Sequence, residues 1–271
     1  MKMAVFLHNH PIFRSEEFAE AKRSNKQSTH TLANGSNEQL LKYHVQQGHI
    51  VRVRNGVYWT VPPGTNADAC AIDPVLVAAK LTDDAIIAYH AALEVHGLAY
   101  SAWNKFTYLT NHKKAKPLNF RGSLYQPVIQ PIALRSEKLT SWGIETRDRL
   151  GIDIQVTSLE RTMVDVLDRA DLSGGWEEIW RSLETISYLK FDLLLEYILL
   201  LKNASTVAKL GFFLEQHKDQ FGIADSELGK LHKHQPLKTQ HMQRSAKEQI
   251  LIKEWNLYVP KEVVERSWEE F

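Results

Sequence analysis

The chain has 271 residues, of which 44% are hydrophobic and 24% charged, with a formal net charge of +1. That is length enough for two domains with separate cores, and the composition excludes a disordered or collagen-like chain. A lone cysteine, Cys70, excludes an intramolecular disulfide framework and fits a reducing cytoplasm.

No membrane partner is expected either. The apolar run Met1–Leu7 is too short for a signal peptide, and the most apolar helical stretch, Leu193–Leu201, contains Glu196 and is too short to span a bilayer. The small net charge hides strong local asymmetry. Residues 1–60 hold eight Lys/Arg against four Asp/Glu, and 101–150 hold nine against three. The segment 228–247 has five basic side chains, no acidic one and several histidines. A basic block recruits phosphate whatever the far side of the molecule carries, although mixed charge can equally serve solubility.

In chain order, Ser15-Glu16-Glu17-Phe18 opens a helix with a serine cap and early carboxylates on the positive dipole end, ending near Arg23. Ser24–Ser28 gives a turn. The next helix begins between Thr29 and Asn37, and the poor helix formers Asn34-Gly35-Ser36 favour the later start. It runs over Glu38–Gln47 and is closed by Gly48. The stretch Ile50-Val51-Arg52-Val53-Arg54-Asn55-Gly56-Val57-Tyr58-Trp59-Thr60 then reads as a hairpin, because Asn-Gly between β-branched and aromatic runs suits a type I′ turn. A two-residue loop sets Arg54 opposite Val57, Val53 opposite Tyr58 and Arg52 opposite Trp59. That register puts Val51, Val53 and Tyr58 on one face, with Arg52 and Trp59 on the other.

Helix, glycine and an arginine-bearing hairpin have the order of the recognition helix and wing of a winged helix-turn-helix. The candidate DNA-binding side chains are Lys26 in the turn, Ser36, Asn37, Gln39 and Lys42 on the helix, and Arg52, Arg54 and Asn55 in the wing. Polar helix residues suit base edges, and lysines mainly meet phosphates. Arg54 suits a minor groove or a phosphate, while Arg52 has the alternative of stacking on Trp59. A solvated or protein-docking surface is the competing reading.

Val61-Pro62-Pro63-Gly64-Thr65-Asn66 is a stiff, turn-rich connector, which divides the chain into residues 1–60 and 67–271 with 61–66 as linker. Beyond it, helices are expected over Pro74–Lys80 and Tyr89–His96, a strand over Phe106–Thr110 and a basic loop over Lys113–Pro117. A second strand, Tyr125–Ala133, is demoted to an edge by its two prolines. The alternating strand Ile152–Val156 runs into Thr157-Ser158-Leu159-Glu160, read as a Thr-x-x-Glu capping box, and the helix it opens stops near Ser173-Gly174-Gly175. Amphipathic helices follow over 176–187, 191–202 and 205–221. Gln249–Val259 is strand-like, and Pro260 starts a short acidic helix.

Glu160, Arg161, Asp165, Asp168 and Arg169 form the densest charged cluster of the second half. Arg161/Asp165 and Asp165/Arg169 are spaced i,i+4, as an ion-pair ladder requires, and this reading is favoured over a metal or acid–base site. His90 and His96 are six apart, the wrong spacing for two ligands on one helical face. His232, His234 and His241 are metal ligands by chemistry but lie in a basic, cysteine-free segment. Phosphate-binding glycine loops are absent. The expectation is therefore no cofactor, no metal, no catalytic residue and no enzyme. A metal-dependent nuclease using Asp153 or Asp165 is the weakest alternative.

Three stretches together resemble the AbiEi-type antitoxins, the regulator halves of bicistronic phage-defence toxin–antitoxin systems. They are Gly48–Tyr58, Tyr89-His90-Ala91-Ala92-Leu93-Glu94-Val95-His96-Gly97-Leu98 and Val156-Thr157-Ser158-Leu159-Glu160-Arg161-Thr162-Met163-Val164-Asp165-Val166-Leu167. They occur in the family's order within residues 10–220; residues after about 226 match least, and the stretch 25–36 is longer than the family's connection. The resemblance implies an α+β protein: an N-terminal winged helix, then a larger mixed α/β domain with a helical second half. It also implies a repressor of its own operon, acting on double-stranded operator DNA with an inverted repeat, and an antitoxin against a nucleotidyltransferase-type toxin. In that family neutralisation is generally described as needing no stable complex, with direct binding as the alternative. A winged-helix regulator with a ligand-sensing second domain and no toxin is the competing function.

Overall fold

The computed structural model describes residues 3–26 and 37–269. Its architecture is mixed α+β, with three separate sheets. The N-terminal unit runs α1 (Met3–Asn9), β1 (Ile12–Arg14), α2 (Ser15–Lys26), α3 (Asn37–Gln46), β2 (Ile50–Arg54) and β3 (Val57–Thr60). The helix α1 and the three-residue strand β1 are additions to the sequence reading, and α2 runs on to Lys26 rather than ending near Arg23. At the start of α2 the Glu17 carboxylate accepts the Arg14 backbone N–H at 2.7 Å, whereas the expected cap Ser15 turns its hydroxyl to Glu16. β1 pairs antiparallel with β3, giving the sheet order β1-β3-β2.

The hairpin register departs from expectation. Arg54 does oppose Val57, but Arg52 opposes Tyr58 and Val51 opposes Trp59, because the ladder shifts between Arg52 and Arg54. Val53 is the extra residue of a β-bulge, and such an insertion moves every residue beyond it by one position. Ile50 and Tyr58 consequently join Phe6, Phe13, Phe18 and Leu41 beneath the helices. Val53, Val57, Trp59 and Val61 face the other way, into a core shared with Val75, Leu76 and Ala78. The small sheet is thus buried on both faces, and apolar packing continues across the Pro-Pro connector.

The second part begins with α4 (Pro74–Lys80), capped by the Asp73 side chain, then β4 (Ile86–Ile87) and α5 (His90–Val95). β5 (Lys105–Thr110), β6 (Leu118–Phe120), β7 (Ser123–Ile129), α6 (Ile132–Ser136), β8 (Ile144–Arg149) and β9 (Ile152–Thr157) follow. Six strands form one sheet in the order β6-β7-β5-β4-β9-β8. β7 is therefore an inner strand, not the edge expected from its prolines. Pro127 is tolerated because the outer neighbour β6 pairs only with Ser123–Tyr125, leaving the rest of that side open.

The helical half comprises α7 (Leu159–Asp168), α8 (Trp176–Glu184), α9 (Phe191–Leu201), α10 (Ala204–Gln216), α11 (Lys218–Phe221) and α12 (Asp225–His232). The cap of α7 is Ser158, which accepts the Arg161 N–H; the expected cap Thr157 instead ends β9 and bonds Thr162. The helix expected over 205–221 breaks at His217, whose ring bonds the Phe213 carbonyl. Gly174-Gly175 lead into α8 rather than closing α7, which ends at Asp168. A last sheet, order β10-β12-β11, comes from β10 (Gln240–His241), β11 (Gln249–Ile252) and β12 (Leu257–Pro260), and α13 (Lys261–Glu265) closes the fold. It docks through Trp255 onto Gly211 of α10, where a Cβ would meet the indole at 2.1 Å. Among the described residues no helix is long and apolar enough to cross a membrane.

Candidate nucleic-acid interface

Leu41 anchors α3 in the aromatic core, with Leu40 and Val45 packed beside it, leaving Glu38, Gln39, Lys42 and Tyr43 exposed. Gly48, at φ +70°, turns the chain from α3 directly into β2. The helix and hairpin are thereby held on either side of a groove. Its walls are Asn37, Leu41 and Lys42 from α3, and Arg52, Asn55 and Tyr58 from the hairpin.

Four of the residues singled out from the sequence, Asn37, Lys42, Arg52 and Asn55, therefore line one groove. Gln39 lies on the exposed face of the same helix. Arg52 donates to the Asn55 side chain at 2.6 Å and sits across from Tyr58, so the stacking on Trp59 that a regular register would allow is not made. Asn37 accepts from Lys22 at 3.1 Å, which ties α2 to α3. Lys26 is the last residue of α2, and Ser36 lies outside the described residues.

Arg54 goes elsewhere. Its guanidinium donates to the Leu81 carbonyl at the end of α4, turned away from the α3 groove. There it lines a second groove with Arg14, Asn55, Gly56, Asp83, His112 and Lys114. The Asn55–Gly56 turn is common to both grooves and stands between them. Sequence reasoning missed Arg14, because a three-residue strand has too few residues to show alternation. It also left Lys114 in an unassigned loop. The basic surplus over 101–150 was the signal pointing there.

Several other histidines and acids are engaged within the protein. His44 and His49 bring Nδ1 atoms to 3.0 Å, and burial followed by the His49 charge pulls the His44 pKa down. His90 bonds Glu178 in the interior, and His96 bonds the Thr157 carbonyl at 2.8 Å. His232 stacks on Trp255 and His241 on Tyr258. Cys70 is a buried free thiol against the Ala67 carbonyl.

Of the two i,i+4 pairs expected on α7, Arg161/Asp165 forms, inside the protein, and Asp165/Arg169 does not. Arg161 is fully buried, bonded to the Trp142 carbonyl at 2.6 Å, and 3.4 Å from Asp165, whose other oxygen accepts from Tyr197 at 2.6 Å. Burial raises the Asp165 pKa to about 6 against the pull of Arg161. Arg169 pairs with Asp171 rather than Asp165, and Asp168 accepts from Asn203 and Thr206. Asp153 is exposed on β9, away from this buried set. Among the described residues, a trio of potential metal-ligand side chains comes together at Asp83, Asp84 and His112, and neither Asp153 nor Asp165 belongs to it.

No known protein-family model and no curated protein matches this chain.

Proposed function

We propose that the N-terminal unit is a winged helix-turn-helix that binds duplex DNA, with α3 as recognition helix and the β2–β3 hairpin as wing. The observation that carries this reading is the groove joining Asn37 and Lys42 of α3 to Arg52 and Asn55 of the hairpin. The element order α1-β1-α2-α3-β2-β3 and the strand order β1-β3-β2 support it as well. In such a mode the helix enters a major groove with Asn37 and Gln39 toward base edges, while Lys42 and Arg52 hold the phosphates.

For the whole chain we infer an AbiEi-type antitoxin that represses its own operon and counteracts a nucleotidyltransferase-type toxin. The support is the three-part resemblance, together with the way two of its stretches meet. The Tyr89–Leu98 stretch carries α5 and the Val156–Leu167 stretch carries the end of β9 and α7. They touch through His96 and Thr157, at the junction of large sheet and helical half. That junction is cytoplasmic scaffold in this reading, not a catalytic centre.

The test is a mobility shift on the DNA upstream of the protein's own coding region, at salt from about 50 to 200 mM. Wild type binds that DNA specifically and with a steep salt dependence; Lys42→Ala/Arg52→Ala lowers affinity by roughly tenfold or more. Wild type that ignores this DNA at low salt makes the groove a protein-docking surface instead. Co-expression with a neighbouring toxin gene tests the antitoxin half: growth is restored by the full chain, and a missing toxin gene leaves a plain regulator.

A further inference from the structure

The second groove lies across the hairpin turn from α3. On its far wall the chain leaves β5 at Thr110 and makes a tight turn, closed by the Ala115 N–H donating to the His112 carbonyl at 2.9 Å. The turn carries Lys113, Lys114 and Lys116, all exposed and none in an ion pair among the described residues. Its base is held firmly. The Asp84 carboxylate accepts from the Thr110 hydroxyl at 2.6 Å and from the Asn111 N–H at 2.7 Å.

The near wall belongs to the N-terminal unit: Arg14, Arg54, Asn55 and Gly56. Two acids also line the groove. Asp83 is engaged by His112 at 2.6 Å, and Glu16 by the Ser15 hydroxyl. Hairpin and lysine turn keep a fixed spacing, because Arg54 bonds Leu81, Lys80 pairs with Glu17 at 2.5 Å, and the sheet packs on α4. Basic side chains thus occur on both sides of the Asn55–Gly56 turn, Lys42 and Arg52 in the first groove and Arg14, Arg54 and Lys114 in the second, with the acids Glu38, Glu16 and Asp83 among them.

We propose that the turn 112–116 is a second backbone clamp on the DNA duplex that α3 and the hairpin engage, its lysines meeting phosphates beyond the wing. The inference rests on the DNA-binding reading above and extends it from the N-terminal unit onto the six-stranded sheet. Lysines on a preformed turn are suited to such a clamp, being compact charges with rotatable donors that meet phosphates without reading sequence. An extended polyanion is the ligand that uses both grooves at once, since they adjoin along the hairpin tip.

The test compares three proteins on the same upstream duplex. Lys113→Ala/Lys114→Ala/Lys116→Ala weakens binding by roughly tenfold or more near 0.1 M salt and flattens the salt slope by about two to three. It also shortens hydroxyl-radical protection on the wing side and leaves base preference unchanged. Lys233→Ala/Lys238→Ala/Lys253→Ala, matched in net charge, keeps wild-type affinity and footprint. An unaltered slope and footprint in the first triple variant, with wild type binding normally, overturns the clamp and spares the winged helix. Equal losses in both triple variants reduce the effect to net charge and also overturn it. No wild-type binding removes both readings together.

Discussion

Arg52 and Arg161 invite comparison, since each stood out in the sequence as an arginine and each has a side-chain partner three or four positions on. Arg52 is exposed and hydrogen-bonded to Asn55 on the hairpin, one wall of an open groove. Arg161 is wholly enclosed, and its neighbours from Glu160 to Leu167 are all buried. Arg52 shares its open groove with Leu41 and Tyr58, whereas Arg161 is closed in by the Trp142 loop and by Tyr197 of α9. Spacing therefore marks an arginine and its polar neighbour, but the enclosure around them decides whether the guanidinium stays open to solvent or ties two layers of the protein together.

The sharpest way to break this contrast is Arg161→Ala. It removes a buried cation with its bonds to Trp142 and Asp165 and leaves a cavity, so about 3–5 kcal/mol of stability is expected to go. Denaturant unfolding measures it; a loss under 1 kcal/mol means the pair is no tie at all.

The next effect, about 3 kcal/mol, is expected from pH. Because burial lifts the Asp165 pKa to about 6, the native state keeps a proton that the unfolded chain releases from about pH 4 upward. The contribution of this carboxyl to stability is greatest at low pH and is lost as pH rises to about 6. The stability of wild type relative to Asp165→Asn falls accordingly across that interval, and an NMR titration of the carboxyl gives its midpoint directly. A midpoint in the ordinary carboxylate range contradicts the burial account.

The smallest effect belongs to Arg52→Ala. Its exposed bond to Asn55 leaves thermal stability within about 0.5 kcal/mol of wild type. A substantially larger loss makes Arg52 a structural residue and collapses the comparison.

Much of this contrast was legible beforehand, and the gaps have physical causes. The sequence Gly48 through Thr60 announces helix stop, strand and a turn at Asn-Gly, because each depends on local backbone preferences; the turn is not the expected type I′, since Gly56 takes a positive φ and Asn55 does not. The bulge at Val53 follows instead from packing on both sheet faces, which no single hairpin reveals. β1 and β4 are too short to carry a period, and β8 is an edge strand with its side chains largely exposed. The helices over 176–216 were readable from their apolar stripes. The burial of Arg161 was not, since a charged side chain enters the interior only when partners distant in sequence, such as Trp142 and Tyr197, receive it. In the candidate interface, the α3 and hairpin residues could be named in advance. The lysine turn could be seen only as surplus charge until the fold brought it beside the hairpin.

The double burial of the small sheet has a consequence for modularity. Ile12, Val53, Val57 and Trp59 rest on α4, so the first 66 residues are not a portable cassette. Cut at the Pro-Pro connector, they lay bare a greasy flank that invites clumping. A fusion or swap that carries α4 along keeps that flank covered. Evolution trading N-terminal units between chains of this build would face the same seam, and its natural exchange point lies past Lys80, not at the prolines.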